Sequence, residues 1–323
     1  MCTATNYTTA DHYFGRNLDL EYSYNETVTV TPRNFPFEFR HVPAMSTHHA
    51  LIGMATISDG YPLYYDATNE KGLSMAGLNF PENADYKAPA PEKTNIASFE
   101  FIPWVLGQFE SVAEVKQALQ SVNVADTAFS EAFPPSPLHW IISDRAESIT
   151  VEAVASGLRV YDNPTGVLTN NPTFDMQLFN LNNYVHLSID APENTFSRDL
   201  PLDVYSRGMG GLGLPGDLSS ASRFVKAVFT KVNSVSGDSE SESISQFFHI
   251  LGSAAQQRGC VRIGDKFEIT IYSSCCNTDK GIYYYTTYEN SQVTGVDMHS
   301  EDLDGTTLSD YPLIKGQQIH MQN

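Results

Sequence analysis

Met1-Cys2-Thr3-Ala4-Thr5 and Tyr13-Phe14-Gly15-Arg16-Asn17-Leu18-Asp19 decide how this chain is read. The first stretch starts as a strand. The second is an apolar run ending in Gly-Arg-Asn-x-Asp, and together they predict an N-terminal hairpin. That hairpin returns a guanidinium and a carboxylate to the level of Cys2. With Met1 removed, Cys2 carries a thiol and a free α-amine on one carbon. Their ordinary pKa values, about 8.5 and about 7.7–8.0, let one residue supply nucleophile and base near neutral pH. Arg16 favours the thiolate through its charge. Asp19 is an acceptor for the α-ammonium or the thiol and can fix their orientation. The competing reading is an arbitrary cysteine on a frayed terminus, with Arg16 and Asp19 a surface charge pair.

Composition narrows the classes. At 323 residues, 41% of them hydrophobic, the chain is expected to form one large domain over 1–323. The net charge of −19 argues against nucleic acid, which needs a cationic surface, and against electrostatic docking to anionic membranes. No run of about 18 apolar residues predicts a transmembrane helix. No basic stretch followed by an apolar core predicts a signal peptide, so a cytoplasmic location is expected. The cysteines are Cys2, Cys260, Cys275 and Cys276, without CxxC spacing. The histidines include His48-His49 but no HExxH pattern, so neither a metal nor an organic cofactor is expected. Cys275-Cys276 reads as a pair of buried thiols in a reducing compartment.

Strands dominate both ends. Thr27-Val28-Thr29-Val30-Thr31 alternates strictly, and strands are expected over 50–56, 62–68 and 72–79. Helices are predicted over 98–108, from the Ser111-x-x-Glu114 capping pattern to about Val122, over 174–182, from a cap at Asp217 or Ser219 to about Val232, and over 241–255. Strands return at 138–143, 148–153, 158–161 and 166–169, and then over 267–274, 281–288 and 292–297. This order suits two sheets with helices outside them. Gly208-Met209-Gly210-Gly211-Leu212-Gly213 matches GxGxxG literally. No buried strand precedes it and Pro215-Gly216-Asp217 interrupts any helix after it, so a turned glycine-rich loop is expected there rather than a dinucleotide site.

The hairpin and a series of later motifs together resemble the choloylglycine hydrolase family, N-terminal nucleophile hydrolases that include bile salt hydrolases and penicillin V acylases. The matching segments are Asn25-Glu26 with Thr31-Pro32-Arg33-Asn34, Pro62-Leu63-Tyr64-Tyr65-Asp66, Asn69-Glu70-Lys71-Gly72-Leu73 and Ala76-Gly77-Leu78-Asn79-Phe80. They continue through Phe99 to Trp104, Ser136-Pro137-Leu138-His139-Trp140, Leu168-Thr169-Asn170-Asn171-Pro172, Gly213 to Asp217 and Ser222-Arg223-Phe224. The resemblance spans essentially the whole chain. It implies an α+β fold, the four-layer α-β-β-α sandwich, which periodicity alone does not specify.

It also implies hydrolysis of the amide between a bile-acid acyl group and glycine or taurine, without a cofactor, by a homotetramer. The same fold serves penicillin V acylases, and an inactive steroid-binding protein is a further alternative. The implied catalytic set is Cys2, Arg16, Asp19, Asn79, Asn171 and Arg223. An amide of Asn171 and the backbone N–H at Asn79 are expected to bind an oxyanion; by themselves these asparagines read equally as turn residues. A steroid needs broad apolar walls, for which Tyr22, Tyr24, Ile57, Tyr61, Tyr65, Phe129 and Phe133 are candidates, with Gln257 at the rim.

Overall fold

Both faces of the alternating run Thr27–Thr31 are buried: Val28 and Val30 on one side, Thr29 and Thr31 on the other. That is the signature of a strand covered by a layer on each face. The computed structural model describes residues 1–323. In chain order its strands are β1 (Cys2–Thr8), β2 (His12–Leu20), β3 (Thr27–Thr31), β4 (Leu51–Ser58), β5 (Tyr61–Asn69), β6 (Ser74–Asn79), β7 (Thr94–Ala97), β8 (Val122–Ala125), β9 (Leu138–Ser143), β10 (Ser148–Val154), β11 (Gly157–Asp162) and β12 (Val167–Leu168). They continue as β13 (Arg262–Ile263), β14 (Lys266–Phe267), β15 (Ile269–Asn277), β16 (Ile282–Thr287), β17 (Asn290–Asp297) and β18 (Ser309–Pro312). The helices are α1 (Phe101–Gln108), α2 (Val112–Ala118), α3 (Phe174–Asn180), α4 (Ser220–Asn233) and α5 (Glu240–Gly252).

Six strands form one antiparallel sheet in the order β12-β1-β2-β15-β16-β17, and eight form the other in the order β11-β10-β9-β6-β5-β4-β3-β18. Period-two alternation divides their side chains between layers. Ala4, Phe14, Leu18, Val28, Val30, Ile52, Met54, Ala76, Leu78 and Ile141 meet between the sheets. On the outer face of the eight-stranded sheet, Leu51, Leu73, Met75 and Ile142 pack with Phe101, Val105, Leu106 and Val115 of α1 and α2. On the outer face of the six-stranded sheet, Tyr7, Tyr13 and Cys275 pack with Ile244, Phe247, Ile250 and Leu251 of α5. This is the α-β-β-α sandwich, with α4 laid along β1 and β12.

The helix predicted to reach Val122 stops earlier. α2 ends at Ala118, a single 3-10 turn follows, and Val122–Ala125 becomes β8, parallel to β7. Tertiary pairing of β-branched Val122 and Val124 overrides the helical pattern. β18, which closes the eight-stranded sheet beside β3, has no apolar pattern of its own. The Gly208–Gly213 segment is a short 3-10 turn with no strand before it, and α4 starts only at Ser220.

Adjacent Cys275 and Cys276 point to opposite faces of β15, one toward α5 and one between the sheets. Both thiols are free and buried. Burial pushes Cys276 up to about 12 and Cys275 well above its usual value. Replacing Cys275 by serine puts a hydroxyl among Ile244, Phe247 and Leu251. It is expected to cost about 1–3 kcal/mol, whereas Cys260→Ser at the surface should change stability by no more than about 0.5 kcal/mol. Urea denaturation midpoints of the two variants check this.

Candidate active site

Strand register assembles the site. β1 lies between β12 and β2, with Ala4 opposite both Leu168 and Arg16, and Cys2 opposite Leu18. Continuing the β1–β12 register by two residues puts Asn170 opposite Cys2. The Cys2 backbone N–H donates to Asn170 Oδ1 at 2.8 Å. Asn170 is held in turn by its own N–H, which donates to Ser220 Oγ at 2.8 Å, and by its Nδ2, which donates to the Asn79 carbonyl at 2.6 Å. Asn79 thus enters as the last residue of β6, at the seam where the two sheets meet.

Arg223, in the first turn of α4, is fully buried and makes four hydrogen bonds at this point. Nη1 donates to the Cys2 carbonyl and to Thr3 Oγ1, both at 2.6 Å, Nη2 to Asn170 Oδ1 at 2.8 Å, and Nε to the Leu218 carbonyl at 3.0 Å. Asp19 Oδ2 lies 4.0 Å from Arg223 Nη1 and is buried without a hydrogen-bond partner, while Oδ1 accepts from Thr270 Oγ1 at 2.6 Å. The Met1 ammonium donates to the Asp19 carbonyl at 2.6 Å and pairs with the buried carboxylate of Glu268. The N-terminus is therefore docked by named partners, and the frayed-terminus reading falls.

Arg16, on the intersheet face of β2, is also fully buried. Its Nη1 donates to the carbonyls of Tyr65 at 3.0 Å and Gly77 at 2.5 Å, and its Nη2 has no partner. Burial disfavours the guanidinium, but the negative charges available at Cys2, Tyr272, Asp66 and Asp19 outweigh it and hold Arg16 above its usual value. Asp66 stands behind it, accepting from Tyr272 Oη at 2.6 Å, Tyr283 Oη at 2.7 Å and Ser274 Oγ at 3.2 Å. Burial raises Asp19, opposed by Arg223, the N-terminal ammonium and the Thr270 hydroxyl. Burial lowers Arg223, with Asp19 as the main opposing charge. Arg16, Arg223, Asp19 and Asp66 are thus buried together around Cys2, where burial reduces the screening of their charges.

An apolar cavity of about 360 Å³ lies next to this cluster. Its wall includes Tyr24, Tyr65, Phe99, Phe129, Phe133 and Trp140. Cys2 is not on the wall, but Tyr65 and Gly77 are, and their carbonyls are the two that Arg16 holds. Arg16 therefore links β2, paired with the Cys2 strand, to the apolar chamber.

The structure brings together Cys2, Arg16, Asp19, Asn79 and Arg223 as expected from sequence, and corrects Asn171. The Asn171 side chain turns out to donate to the Pro81 carbonyl at 2.6 Å, and Asn170 occupies the place expected of it. Adjacent residues at a strand end face opposite ways, and only the β12–β1 register says which of them faces Cys2. Among the expected wall residues, Tyr24, Tyr65, Phe129 and Phe133 are in place, and four others are not. Tyr22 is exposed beside Tyr24, its hydroxyl 2.7 Å from that of Tyr24, over a separate groove with Ile269 and Tyr288. Ile57 follows wall residue Thr56 in an alternating strand and is turned from the chamber. Tyr61 is a buttress behind the wall, its ring 5.8 Å from Phe129 and 5.9 Å from Phe99. Gln257 is exposed, with its amide donating to the Ala255 carbonyl. Sequence reading missed Glu268, between β14 and β15, and the Asp66 cage on β5, since single carboxylates carry no pattern that marks them as buried.

Comparison with known proteins agrees with this geometry. The model of the linear amide C–N hydrolases, choloylglycine hydrolase family, matches residues 2–311. A bile salt hydrolase/transferase from Lactiplantibacillus plantarum is 58% identical over 324 residues, covering all of both chains. The crystal structure of the C2A variant of conjugated bile acid hydrolase from Clostridium perfringens has a TM-score of 0.93 at 43% identity, again over all of both chains. Penicillin V acylase from Agrobacterium tumefaciens shares the fold, with a TM-score of 0.75 at 20% identity over 96% of this chain and 90% of its own. The buried Cys2 cluster, the sandwich that builds it and a family match over nearly the full length lead to one conclusion: this chain is a member of the choloylglycine hydrolase family of linear amide C–N hydrolases.

Proposed function

We propose that this enzyme hydrolyses the amide joining a bile-acid acyl group to glycine or taurine, with Cys2 as nucleophile after loss of Met1. The observation that carries the proposal is the convergence of Asn170, Arg223, Asp19 and Arg16 on Cys2 beside an apolar chamber. The names of the full-length relatives supply the substrate class. With Met1 gone, the Cys2 α-ammonium keeps Asn170 Oδ1 as an acceptor, in a cluster where Asp19 Oδ2 is buried without a partner.

The thiolate attacks the substrate carbonyl carbon. The negative charge that develops on oxygen is met by N–H groups of Asn170 and Asn79. Collapse breaks the C–N bond, and the Cys2 ammonium, directly or through water, protonates the leaving amine. Water then attacks the thioester, giving the free acid and restoring the thiol. Tyr24, Tyr65, Phe129 and Phe133 hold the steroid by apolar contact.

Cytoplasmic location is supported by four free cysteines, two of them in adjacent buried positions, as suits a reducing compartment; no helix is long and apolar enough to cross a membrane. Assembly into a homotetramer is supported by the apolar side chains displayed between α3 and α4. Val185, Ile189, Phe196 and Tyr205 are 81%, 69%, 83% and 84% exposed, too much for one surface arm without a partner.

Amine release from glycocholate, taurocholate and penicillin V is the decisive assay. Turnover of the bile salts, abolished in Cys2→Ser, is expected, with active protein lighter by one methionine in intact-mass measurement. Preference for penicillin V, or full activity with Met1 retained, would overturn the corresponding part of the proposal.

Asn170→Ala should lower kcat by about 10²–10³, the usual loss for one oxyanion donor, with KM little changed. Asn171→Ala, which loses only a bond to the Pro81 carbonyl, should keep kcat within a few-fold. Steady-state kinetics of the pair separates the two asparagines.

Falling pH protonates Asp19 and removes its charge from the nucleophile's amine. Because burial raises its pKa, the acid limb of kcat/KM should lie above the ordinary aspartate value of about 3.9. A pH–rate profile of the wild type measures this, since kcat/KM reports the free enzyme.

A further inference from the structure

His139 on β9 and Glu152 on β10 are directly opposite each other and fully buried. Neither is on the wall of the chamber, and neither bonds to Cys2. His139 Nδ1 is 3.1 Å from Glu152 Oε1, and Nε2 is 2.9 Å from the Thr169 carbonyl. A carbonyl only accepts, so Nε2 carries a proton and donates to Thr169. Glu152 Oε1 also accepts from the Phe174 N–H at 3.0 Å, and its Oε2 is buried without a partner. The ring of Phe80 stacks on His139 with centroids 4.1 Å apart and planes 7° from parallel.

Each group that the pair touches flanks a proposed oxyanion donor. Thr169 precedes Asn170, Phe174 opens α3 after the loop that follows it, and Phe80 follows Asn79. A buried polar pair of this kind is a poor source of stability, because apolar residues of the same volume would often serve as well. What apolar residues would lack is directional hold on the Thr169 carbonyl and the Phe174 N–H at once. The strand end carrying Asn170 is short, since β12 is only Val167–Leu168, so ladder bonds alone leave it weakly defined.

We propose that His139 and Glu152 form a positioning dyad that fixes Asn170, and through Phe80 the Asn79 turn, in the geometry that receives the oxyanion. The proposal rests on the reading of Asn170 as an oxyanion donor. The dyad acts through that residue and touches no substrate.

Glu152→Gln keeps the side-chain shape and leaves the amide oxygen to accept from Phe174, but it removes the carboxylate from His139. Kinetics on glycocholate should show kcat lowered about ten- to hundredfold, the scale of a misplacement of about 1 Å, with KM within about threefold and an unchanged rate of Cys2 alkylation. His139→Gln, which can still donate to the Thr169 carbonyl, should retain more activity than His139→Ala. In the Asn170→Ala background, Glu152→Gln should cost less than about threefold, because the group it positions is gone. A full additional loss in that background, or a Glu152→Gln enzyme with wild-type kcat while Asn170→Ala is impaired, overturns the dyad. Normal kcat in Asn170→Ala instead overturns the oxyanion reading on which it rests. If Glu152→Gln does not give native circular dichroism, His139→Gln carries the comparison; failure of both to fold makes the pair structural and likewise overturns the proposal.

Discussion

The Arg223 guanidinium is the interaction on which the site depends. It arrives from α4 and, without exposure to solvent, joins the carbonyl of Cys2, the hydroxyl of Thr3 and the amide oxygen of Asn170. A buried cation is tolerable only where charge and hydrogen bonds replace its hydration. Here the replacement comes from Asp19 at 4.0 Å and from dipoles supplied by the first two residues of β1, by Asn170 and by Leu218. Each of these groups is fixed by satisfying the cation, and the cation is fixed by them. An N-terminal segment that would otherwise fray is thereby held in a defined place.

The two sheets give that interaction its setting. β1 is an interior strand of the six-stranded sheet, and Cys2 itself is paired with Leu18 of β2 and tied on the other side to Asn170, beyond the end of β12. The eight-stranded sheet contributes Asn79 at the end of β6 and the carbonyls of Tyr65 and Gly77 that hold Arg16. The chamber is lined by Tyr65, Gly77 and Trp140 of that sheet together with Phe129 and Phe133. The polar cluster draws on both sheets, with Asn79 and Asp66 from the eight-stranded one, and Arg16 joins it to the chamber wall. The Met1 ammonium, docked against Glu268 and the Asp19 carbonyl, gives the terminus a defined place in this frame.

Much of this was legible in the sequence. The N-terminal hairpin, the strict alternation of Thr27–Thr31 and the Ser219 cap of α4 are local patterns, and local patterns survive folding when tertiary contacts agree with them. Cys2, Arg16 and Asp19 are marked by the hairpin itself and Arg223 by the motif resemblance, and each of those side chains reaches the cluster. Local patterning failed at Val122–Ala125, where a parallel partner turned a helical end into a strand, and at β18, whose only reason to be extended is the open edge of β3.

What the tertiary structure alone decided is which neighbour faces which. Asn170 and Asn171 are indistinguishable in a Thr-Asn-Asn-Pro segment, and only the β12–β1 register assigns Asn170 to Cys2. Tyr61 and Tyr65 have the same chemistry four residues apart, yet one supports the chamber from behind and the other lines it. Glu268, Asp66, His139 and Glu152 are charged or polar residues that composition would place in water, and they are buried because strands distant in sequence bring partners to them. Sequence determines the layers through periodicity, which is a property of a single strand. Register, facing and burial are properties of pairs of strands, and they exist only once the sheets have formed.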